Sequence, residues 1–431
     1  MRADSERVPV SQLQRTGQSN DMGARLTVAT LMAAVLVMLL CALRSQNEPR
    51  GRGVMISDAV EAASSPTLVG KQVCAECHRG NFDLHCQSGH AQTFARTRDW
   101  QPSNEFAGKT VDAGAPFGLY AYRLESDGLV AAKVKDQRAL VSGNIEGVQK
   151  LPYALGSGRN AITLLALVKD PGMEGDPDGE TVALEHHVSW FGSHESFGLT
   201  PGHISPRRDK AGYQNAGHEN AAYGNTAQDA NDPTSEQQLF GELVRGNKMQ
   251  ECIHCHTTAG QIVGQRIEGL VAGVNCERCH GPGSEHVRLA RLSQTPPPYS
   301  VGRSDWDQES ELQLCGSCHR LPRHVNERDL RDYSSEMLRL QPIGMLRSEC
   351  YLKSDGRMTC TTCHNPHMDS SQKSSEDYAQ DCRRCHLPDT SGHVACPVSP
   401  EQGCIDCHLP PITVEQGLVF HDHWIRIRDE P

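Results

Sequence analysis

The sequence is poor in the large apolar side chains from which a protein of this length ordinarily builds its core. Aromatic residues make up 5% of the 431 residues and hydrophobic residues make up 37%. The mean hydropathy is −0.52, which is low for a globular chain. The polypeptide must therefore bury something other than its own side chains, or stay partly disordered.

The sequence also has no excess of positive charge. Lysine and arginine total 42 against 53 aspartate and glutamate residues, which gives a formal net charge of −11. Nucleic-acid binding requires a basic surface, so this balance argues against it. An acidic chain is suited instead to a soluble protein partner that carries a basic patch.

One long apolar run lies near the N-terminus, at residues 26–43 (LTVATLMAAVLVMLLCAL). About eighteen residues is the lower limit for a helix that spans a bilayer. No small-x-small cleavage site follows directly, which favours a signal anchor over a cleaved signal peptide, although both remain possible. We therefore expect a cytoplasmic stub and membrane anchor or signal over residues 1–44, followed by a linker over residues 45–69.

Cysteine, by contrast, is abundant and regularly spaced. Fourteen of the eighteen cysteines fall in seven copies of Cys-x-x-Cys-His. In chain order, motifs 1 to 7 are Cys74/Cys77/His78, Cys252/Cys255/His256, Cys276/Cys279/His280, Cys315/Cys318/His319, Cys360/Cys363/His364, Cys382/Cys385/His386 and Cys404/Cys407/His408. The two thiols of such a motif add to the vinyl groups of one haem, and its histidine becomes the proximal iron ligand.

Zinc ribbons and disulfides are the other ordinary uses of paired cysteines. Neither requires a histidine directly after the second cysteine, which is present in all seven copies. The sequence therefore predicts seven covalently attached haem c groups, with the polypeptide wrapped around them. Because haem is attached to such motifs after export, we expect the body of the chain in the periplasm, held at the inner membrane by the N-terminal helix.

Histidine is plentiful enough to give every iron a second axial ligand, since 21 histidines leave fourteen outside the motifs. The distal candidates with a local pattern are His90 (Ser-Gly-His-Ala after motif 1), His286 (after the Gly-Pro-Gly turn at 281–283), His367 (after Pro366), His423 (in Asp-His-Trp) and His393 (between motifs 6 and 7). Weaker candidates are His203 and His324. We interpret His186, His187 and His194 as plain polar residues, with a ligand or acid–base role left open.

The motifs are unevenly distributed, which predicts three segments after the linker. Residues 70–100 form a first haem-binding segment, residues 101–245 form a β-rich insert, and residues 246–431 form a six-haem cytochrome domain. The insert contains a long loop at residues 205–238. Strand patterns lie at 117–134, around a Ser-Asp-Gly turn, and at 161–168 and 182–191, whereas 308–314 and 375–382 have helical patterns. The expected fold is mainly α and irregular, wrapped around stacked haems, with a small β-rich insert.

A disulfide between Cys350 and Cys396 is a further hypothesis.

The surroundings of the motifs resemble a known superfamily. The relevant stretches are CAECH and SGHA at 74–91, GVNCERCHGPGSEH at 273–286, CTTCHNPH at 360–367, GCIDCHLP at 403–410 and DHWI at 422–425. They are similar to the multihaem cytochromes that include the tetrahaem cytochrome of ammonia oxidisers, hydroxylamine oxidoreductase and octahaem tetrathionate reductase. The resemblance covers roughly residues 70 to 428 and implies closely stacked haems with mostly bis-histidine iron.

Two functions follow as expectations. The first is electron transfer between a membrane donor and a redox partner protein. The second is oxidoreduction of a small nitrogen or sulfur compound at one haem with an open distal side. The sequence has no Cys-x-x-Cys-Lys motif, which argues against a lysine-ligated active haem of the nitrite-reductase type. A haem-based scaffold that binds a partner through the long loop is a third reading.

Overall fold

The computed structural model describes residues 65–114, 117–170, 180–203, 237–295, 301, 305–386, 396–399 and 402–428. These residues all fall in one compact unit, Ser65–Pro431. The expected anchor at 26–43, most of the long loop at 205–238, and His393 lie outside the described residues. Within the described part of the chain, no helix is both long and apolar enough to cross a bilayer.

The helices are short, and several of them carry a motif. The α-helices of the described residues are α1 Lys71–Ala75, α2 Arg79–His85, α3 Gly89–Gln92, α4 Ser103–Phe106, α5 Gln137–Ser142, α6 Asn247–His256, α7 Cys276–His280, α8 Ser284–Arg291, α9 Gln308–His319, α10 Glu327–Asp332, α11 Gln341–Met345, α12 Glu349–Leu352, α13 Cys360–Cys363, α14 Ser375–Arg383 and α15 Cys404–His408. Single 3₁₀ turns lie at Thr97–Asp99, Gln237–Leu239, Pro322–His324, Ser335–Arg339, Ser370–Gln372 and Glu415–Gly417.

The strands of the described ranges form four antiparallel sheets. They are β1 Phe94–Arg96, β2 Thr110–Asp112, β3 Leu119–Glu125, β4 Gly128–Val134, β5 Gly147–Leu151, β6 Tyr153–Leu155, β7 Ile162–Lys169, β8 Thr181–Phe191, β9 Ser196–Leu199, β10 Gly241–Val244, β11 Thr257–Val263, β12 Arg266–Ala272, β13 Pro411–Thr413 and β14 Val419–His421. A six-stranded sheet has the order β1-β6-β7-β8-β10 with β9 also paired to β8, and a four-stranded sheet has the order β2-β3-β4-β5. The pairs β11–β12 and β13–β14 are separate hairpins.

The two larger sheets share one apolar core. Tyr122 and Leu129 of the four-stranded sheet pack with Leu164 and Leu184 of the six-stranded sheet, and all four are at most 3% exposed. Strand β7 is an almost unbroken apolar run, ITLLALVK. Such a run is typical of a strand buried on both faces. Its second face must therefore be covered as well.

Helix α6, which carries motif 2, covers that second face. Leu165 and Leu167 of β7 pack against Met249 and Ile253 of α6, and Ile267 of β12 completes the cluster. Burial of these side chains fixes α6 against the sheet, because each fully buried aliphatic side chain contributes roughly 1.5–3 kcal/mol. The β-rich region is therefore a platform that positions one haem motif.

Most local predictions are confirmed. Residues Glu125 and Gly128 close the β3–β4 hairpin around Ser126 and Asp127, as the turn signal predicts. Strands β7 and β8 match the predicted runs at 161–168 and 182–191. Helix α9 starts at Gln308 as predicted and continues through motif 4 to His319, and α14 matches the helix predicted at 375–382.

The fold is more strongly β than the sequence suggested. Strand β1 comes from the first haem-binding segment, and the hairpins β11–β12 and β13–β14 lie in the expected six-haem domain. The expectation of a mainly α chain with one small β insert is therefore too narrow, and the fold is mixed. The reason is that strands of three residues such as β13 and β14 are too short to give a period-2 pattern.

Candidate functional site

Each motif lies on or at the end of a short helix. Motifs 3 and 7 coincide with α7 and α15, and motif 5 begins with α13. Motifs 2 and 4 occupy the last turns of α6 and α9. Residues three apart on a helix lie on the same face. A single turn therefore brings both thiols of a motif to one side, with its histidine next to them.

The polypeptide covers the predicted attachment residues unevenly. In the part of the chain that the structure describes, the exposed motif residues are the cysteines Cys77, Cys279, Cys385 and Cys407 and the histidines His78, His319 and His386. All four exposed cysteines are the second of their motif, whereas the first is half-buried in each case.

The exposure has a local physical reason. The first cysteine of a motif packs against a neighbouring motif, as Cys74 does against Cys276, whereas Cys77 and Cys407 follow one helical turn later, towards the surface. In motif 6, α14 ends at Arg383, so Cys385 and His386 lie beyond its last turn. Sequence spacing predicts which residues bond a haem and not how deeply the chain covers them. Haem attachment at the motif cysteines, and iron ligation by the motif histidines, stay predictions.

The motifs contact one another in a defined order. The side chain of Cys74 lies beside that of Cys276, Cys255 lies beside Cys318, and Cys315 lies beside Cys360. The corresponding helix pairs α1–α7, α6–α9 and α9–α13 are in contact, as are α13–α14 and α14–α15. Cys279 of motif 3 also interacts electrostatically with Cys318 of motif 4. Motifs far apart in sequence are thus neighbours in space.

Two buried glutamates join neighbouring motifs. The Glu277 carboxylate of motif 3 accepts hydrogen bonds from the backbone N–H groups of Val69, Gly70 and Gly283, each at 2.8 Å. It therefore holds the backbone directly before α1, the helix that leads into motif 1. The Glu311 carboxylate on α9 accepts from the Thr361 N–H at 2.6 Å and the Thr361 hydroxyl at 2.9 Å, which joins motif 4 to motif 5.

A third buried carboxylate joins the segments that carry two distal candidates. Asp369, only two residues after His367, accepts a hydrogen bond from the Gly89 N–H at 3.1 Å. It also pairs with the Arg159 guanidinium at 2.6 Å. Because Gly89 begins α3, this contact holds the helix of His90 next to the loop of His367.

Four of the distal candidates face a motif histidine from another part of the chain. The ring centroids are 6.3 Å apart for His78 and His286, 6.2 Å for His280 and His367, 6.1 Å for His319 and His90, and 6.1 Å for His364 and His423. The spacing is nearly the same in all four pairs. It is too wide for ring-on-ring packing in van der Waals contact, so each pair leaves a gap of defined size.

That gap has the dimensions of an axially ligated iron. Metal–imidazole bonds of about 2 Å on each side, plus the distance from each nitrogen to its ring centre, place the two centroids about 6 Å apart. All four pairs meet this requirement. The described residues therefore fit four irons with one histidine on each face.

Hydrogen bonds at Nδ1 orient the rings, which leaves Nε2 for a metal. His319 faces the Gln341 side-chain oxygen at 3.1 Å, and His408 faces the Arg426 carbonyl oxygen at 3.0 Å. His256 lies 2.7 Å from the Thr93 hydroxyl. On the distal side, His423 faces the carbonyl oxygen of His421 at 2.9 Å. A carbonyl can only accept, so His408 and His423 carry their proton on Nδ1.

Burial keeps several of the paired rings neutral. It lowers the pKa of His423 to about 4, and it lowers the pKa values of His90, His280 and His364. Only a neutral imidazole has a lone pair for a metal. These histidines are therefore in the protonation state that iron ligation needs.

The C-terminal segment holds His423 in place through Asp422. This carboxylate is 1% exposed and accepts from the Tyr333 hydroxyl at 2.7 Å, the Trp424 N–H at 2.9 Å and the Arg428 guanidinium at 2.6 Å. The Arg426 guanidinium lies 3.9 Å from the centre of the Trp424 ring. These contacts fix the backbone on both sides of His423.

Comparison with known protein families gives one match. A family model described as cytochrome c554 and c-prime matches residues 207–281, which include motifs 2 and 3. This part of the chain is therefore similar to a family of c-type cytochromes. No curated protein matches. Among solved structures, the outer cell wall cytochrome OcwA is similar at 13% identity, with a TM-score of 0.41, over 83% of this chain and 79% of that chain.

Cytochromes of the c type bind haem c covalently and transfer electrons, and this chain has residues that fit the group. Beside motif 5, a cleft of about 490 Å³ is lined by Cys363, His364, His367 and Met368. Ligand-binding clefts are commonly of this size. Haem c supplies a one-electron iron couple, and two histidine ligands hold its potential below that of a histidine–methionine pair.

The remaining histidines lie elsewhere. His254, between the two cysteines of motif 2, contacts the Arg278 guanidinium at 2.8 Å. His186 is fully buried in the β region, where it contacts the Tyr122 hydroxyl at 2.7 Å. His187 and His203 contact each other at 3.1 Å between their Nδ1 atoms, so the interpretation of His187 as a plain polar residue misses a polar cluster.

The hypothesis of a Cys350–Cys396 disulfide is wrong for this structure, in which both are free thiols. Cys350 lies among the cysteines of motifs 5 and 6, since it interacts electrostatically with Cys363 and Cys385. Cys396 instead accepts a hydrogen bond from the Ser399 N–H at 3.5 Å. Cys86 is also a free thiol.

Sequence reasoning missed the buried carboxylates Glu277, Glu311, Asp369 and Asp422. Asp422 is next to a predicted ligand, and Glu277 lies inside a motif, so their positions were a usable signal. Nothing in the sequence, however, distinguishes an acidic residue that accepts hydrogen bonds from backbone N–H groups from an acidic residue that faces solvent. Their role depends on long-range contacts such as that of Glu277 with Val69.

Proposed function

We propose that this protein is a seven-haem c-type cytochrome that carries electrons on the periplasmic side of a membrane. The observation that carries the proposal is the set of four imidazole pairs spaced at 6.1–6.3 Å. An iron with a histidine on both faces has no position for a substrate, so such haems exchange electrons only. The apolar run at 26–43 would hold the protein at the inner membrane.

The contacts between motifs support one electron path. Motif 1 contacts motif 3, motif 3 lies beside motif 4, and motif 4 contacts motif 5, which continues through motif 6 to motif 7. Motif 2 contacts motif 4 and forms a branch. The proposed order is therefore 1–3–4–5–6–7, with 2 attached at 4. The two ends would serve a membrane donor and a soluble redox partner protein.

The proposed order predicts that motif 4 is the junction of the path. In the double variant Cys315→Ser/Cys318→Ser, which cannot attach that haem, we expect reduction by a rapid photochemical donor to split into separate phases. Haems 1 and 3 would equilibrate with each other and only slowly with haems 5 to 7, because the bridging haem is missing. Transient absorption at the Soret band measures the phases.

The matched control is Cys404→Ser/Cys407→Ser, which removes the haem at the proposed end. We expect it to keep the wild-type phases with one haem fewer. Single-phase reduction of the motif 4 variant, at the wild-type rate and with six haems confirmed by mass, would exclude the proposed order.

One observation favours a second candidate, an oxidoreductase acting on a small nitrogen or sulfur compound at an open haem. Within the described ranges, no imidazole faces His256 or His408 in the way that His423 faces His364. His218 and His393 lie outside those ranges. The two functions differ in the ferric spectrum, because an open iron gives a high-spin fraction that shifts on addition of nitrite or cyanide.

A further inference from the structure

A buried polar cluster lies in the six-stranded sheet, away from the cysteines. It consists of Glu185 and His187 of β8 and of His203, which follows β9. The Nδ1 atoms of His187 and His203 are 3.1 Å apart, and Nε2 of His203 lies 3.3 Å from a Glu185 carboxylate oxygen. His187 and His203 are 4% and 2% exposed. The Glu185 side chain is 28% exposed, so the cluster meets solvent at Glu185.

The hydrogen bonds of this cluster require one proton more than neutral imidazoles provide. Nε2 of His187 faces the Gln238 carbonyl oxygen at 3.2 Å, so this nitrogen must carry the proton of a neutral His187. Burial holds the pKa of His187 well below its usual value, which leaves its Nδ1 as an acceptor. His203 must then donate from Nδ1, and its Nε2 is bare unless an additional proton is present.

The additional proton belongs between His203 and Glu185. A bare Nε2 and an ionised carboxylate are both acceptors, and two acceptors do not form a bond at 3.3 Å. A proton on either atom completes the chain from Gln238 through both imidazoles to Glu185. The geometry therefore describes a site with one proton bound.

A second carboxylate favours the same proton. Glu242 of β10 lies directly opposite Glu185 in the strand register, and like charges in that arrangement destabilise a sheet. Burial raises the pKa of Glu242, and the charge of His203 opposes that shift. His186 and Lys133 of β4 also act on the cluster through His187. The Glu415 carboxylate accepts a hydrogen bond from the N–H of Gly202, next to His203, at 3.4 Å. A proton at His203 relieves the repulsion between the two carboxylates.

The cluster is electrostatically connected to motif 2. The Glu185 carboxylate acts on both Cys252 and His256. Strand β10, which pairs with β8 through Glu242, ends at Val244 and leads into α6 at Asn247. The sheet and α6 also share a buried core that includes Ala183 and Ile253. A charge change at motif 2 would therefore be felt at Glu185 in a poorly solvated environment.

We propose that Glu185, His203 and His187 form a proton-binding site that is linked to the redox state of the haem at motif 2. The inference rests on the proposed function, because it needs a haem there. As one electron from a one-electron donor arrives at motif 2, one proton enters from solvent through Glu185 and binds between Glu185 and His203. On oxidation, the electron and the proton both leave. The added positive charge offsets the added negative charge.

A proton fits this site better than a metal ion does. In the part of the chain that the structure describes, no group of three or more histidine, cysteine, aspartate or glutamate side chains is arranged to hold a metal. Nε2 of His187 is occupied by the Gln238 carbonyl and its Nδ1 by His203. The remaining capacity is a single position between His203 and Glu185.

The test is to count the protons taken up when the full haem-loaded protein is reduced electrochemically in weakly buffered solution with a pH indicator. In Glu185→Gln, the amide N–H donates permanently to His203 and no proton is needed. We expect this variant to take up one proton fewer per chain than the wild type. Its infrared redox difference spectrum should also lose a carboxyl or imidazolium signal that the wild type has.

The matched control is His194→Gln, which changes an exposed histidine of the same sheet region and should leave the proton count unchanged. Intact mass first confirms that each variant carries the wild-type number of haems. If motif 2 carries no haem, the proposed function itself fails. If the haem is present and Glu185→Gln takes up as many protons as the wild type, the proton site is excluded. A second variant, His203→Gln, should likewise lose one proton.

Discussion

Replacing His423 with alanine is expected to change the haem of motif 5, and no other, from a six-coordinate low-spin iron to an open one. The His423 ring faces His364 at 6.1 Å between centroids, and its loss leaves nothing on that side of the iron. One haem in seven should then be high-spin in the ferric protein and should bind cyanide. Its potential should rise, since the loss of a histidine ligand removes electron density from the iron.

The measurement is the ferric absorption and electron paramagnetic resonance spectrum with and without cyanide. His421→Ala is the matched control, because His421 is exposed and only two residues away. His423 contacts the carbonyl of His421 and not its ring, so the control should keep the wild-type spectrum. If the His423→Ala protein is fully low-spin and its spectrum does not change on addition of cyanide, His423 is not an axial ligand.

Replacing Glu277 with alanine is expected to destabilise the protein by about 2–5 kcal/mol, because it leaves three backbone N–H groups without their charged acceptor. Those groups belong to Val69, Gly70 and Gly283, and Glu277 is 8% exposed. The loss should appear first at motif 1, since the backbone directly before α1 loses its hydrogen bonds to Glu277. Guanidinium unfolding of the haem-loaded protein, followed at the Soret band, measures the change in the free energy of unfolding.

The control for this prediction is Glu76→Ala, which also removes a glutamate from inside a motif. Glu76 pairs with Arg291, and both side chains are more than half exposed. A surface pair of this kind contributes little, so the change should stay within about 0.5 kcal/mol. Equal stability of the two variants would show that the buried carboxylate does not hold motifs 1 and 3 together.

The sequence predicts the local part of the site well for a physical reason. One helical turn positions all the functional residues of a Cys-x-x-Cys-His motif, so five consecutive residues determine its chemistry. The distal candidates His90, His286, His367 and His423 also follow local signals, namely a short helix, a turn, a proline and an aromatic neighbour. The structure places each of the four opposite a motif histidine. Their role as iron ligands stays a prediction.

How deeply each motif is covered could not be predicted. Cys77, Cys407 and His386 have the same local spacing as their counterparts in motif 2, yet they are exposed, whereas Cys255 and His256 are half-buried. The difference comes from tertiary packing, because motif 2 lies on a helix held against the six-stranded sheet. A five-residue motif contains no information about such a neighbour.

Which histidine faces which motif could not be predicted either. His90 follows motif 1 but faces His319 of motif 4, and His423 follows motif 7 but faces His364 of motif 5. Such pairings are set by long-range contacts, including that of Asp369 with Gly89. They leave no periodic pattern in the sequence.

The sequence-based prediction of the fold was wrong for short or irregular strands. It was also wrong for polar side chains that can lie either at the surface or in the interior. Strand β7 is long and apolar, and its prediction is confirmed. The β11–β12 hairpin has irregular pairing between Thr257 and Gln261, which disrupts the alternation that identifies a strand. His187 and His203 have polar residue types that are typical of a surface, yet both are buried.

The most direct test of the account is the number of haems per chain. Intact mass of the purified, exported protein under denaturing conditions counts covalently attached groups, and a pyridine haemochrome assay checks the count independently. We expect seven haems per chain, one for each Cys-x-x-Cys-His motif. A smaller number would contradict it and would identify at least one motif as something other than a haem site.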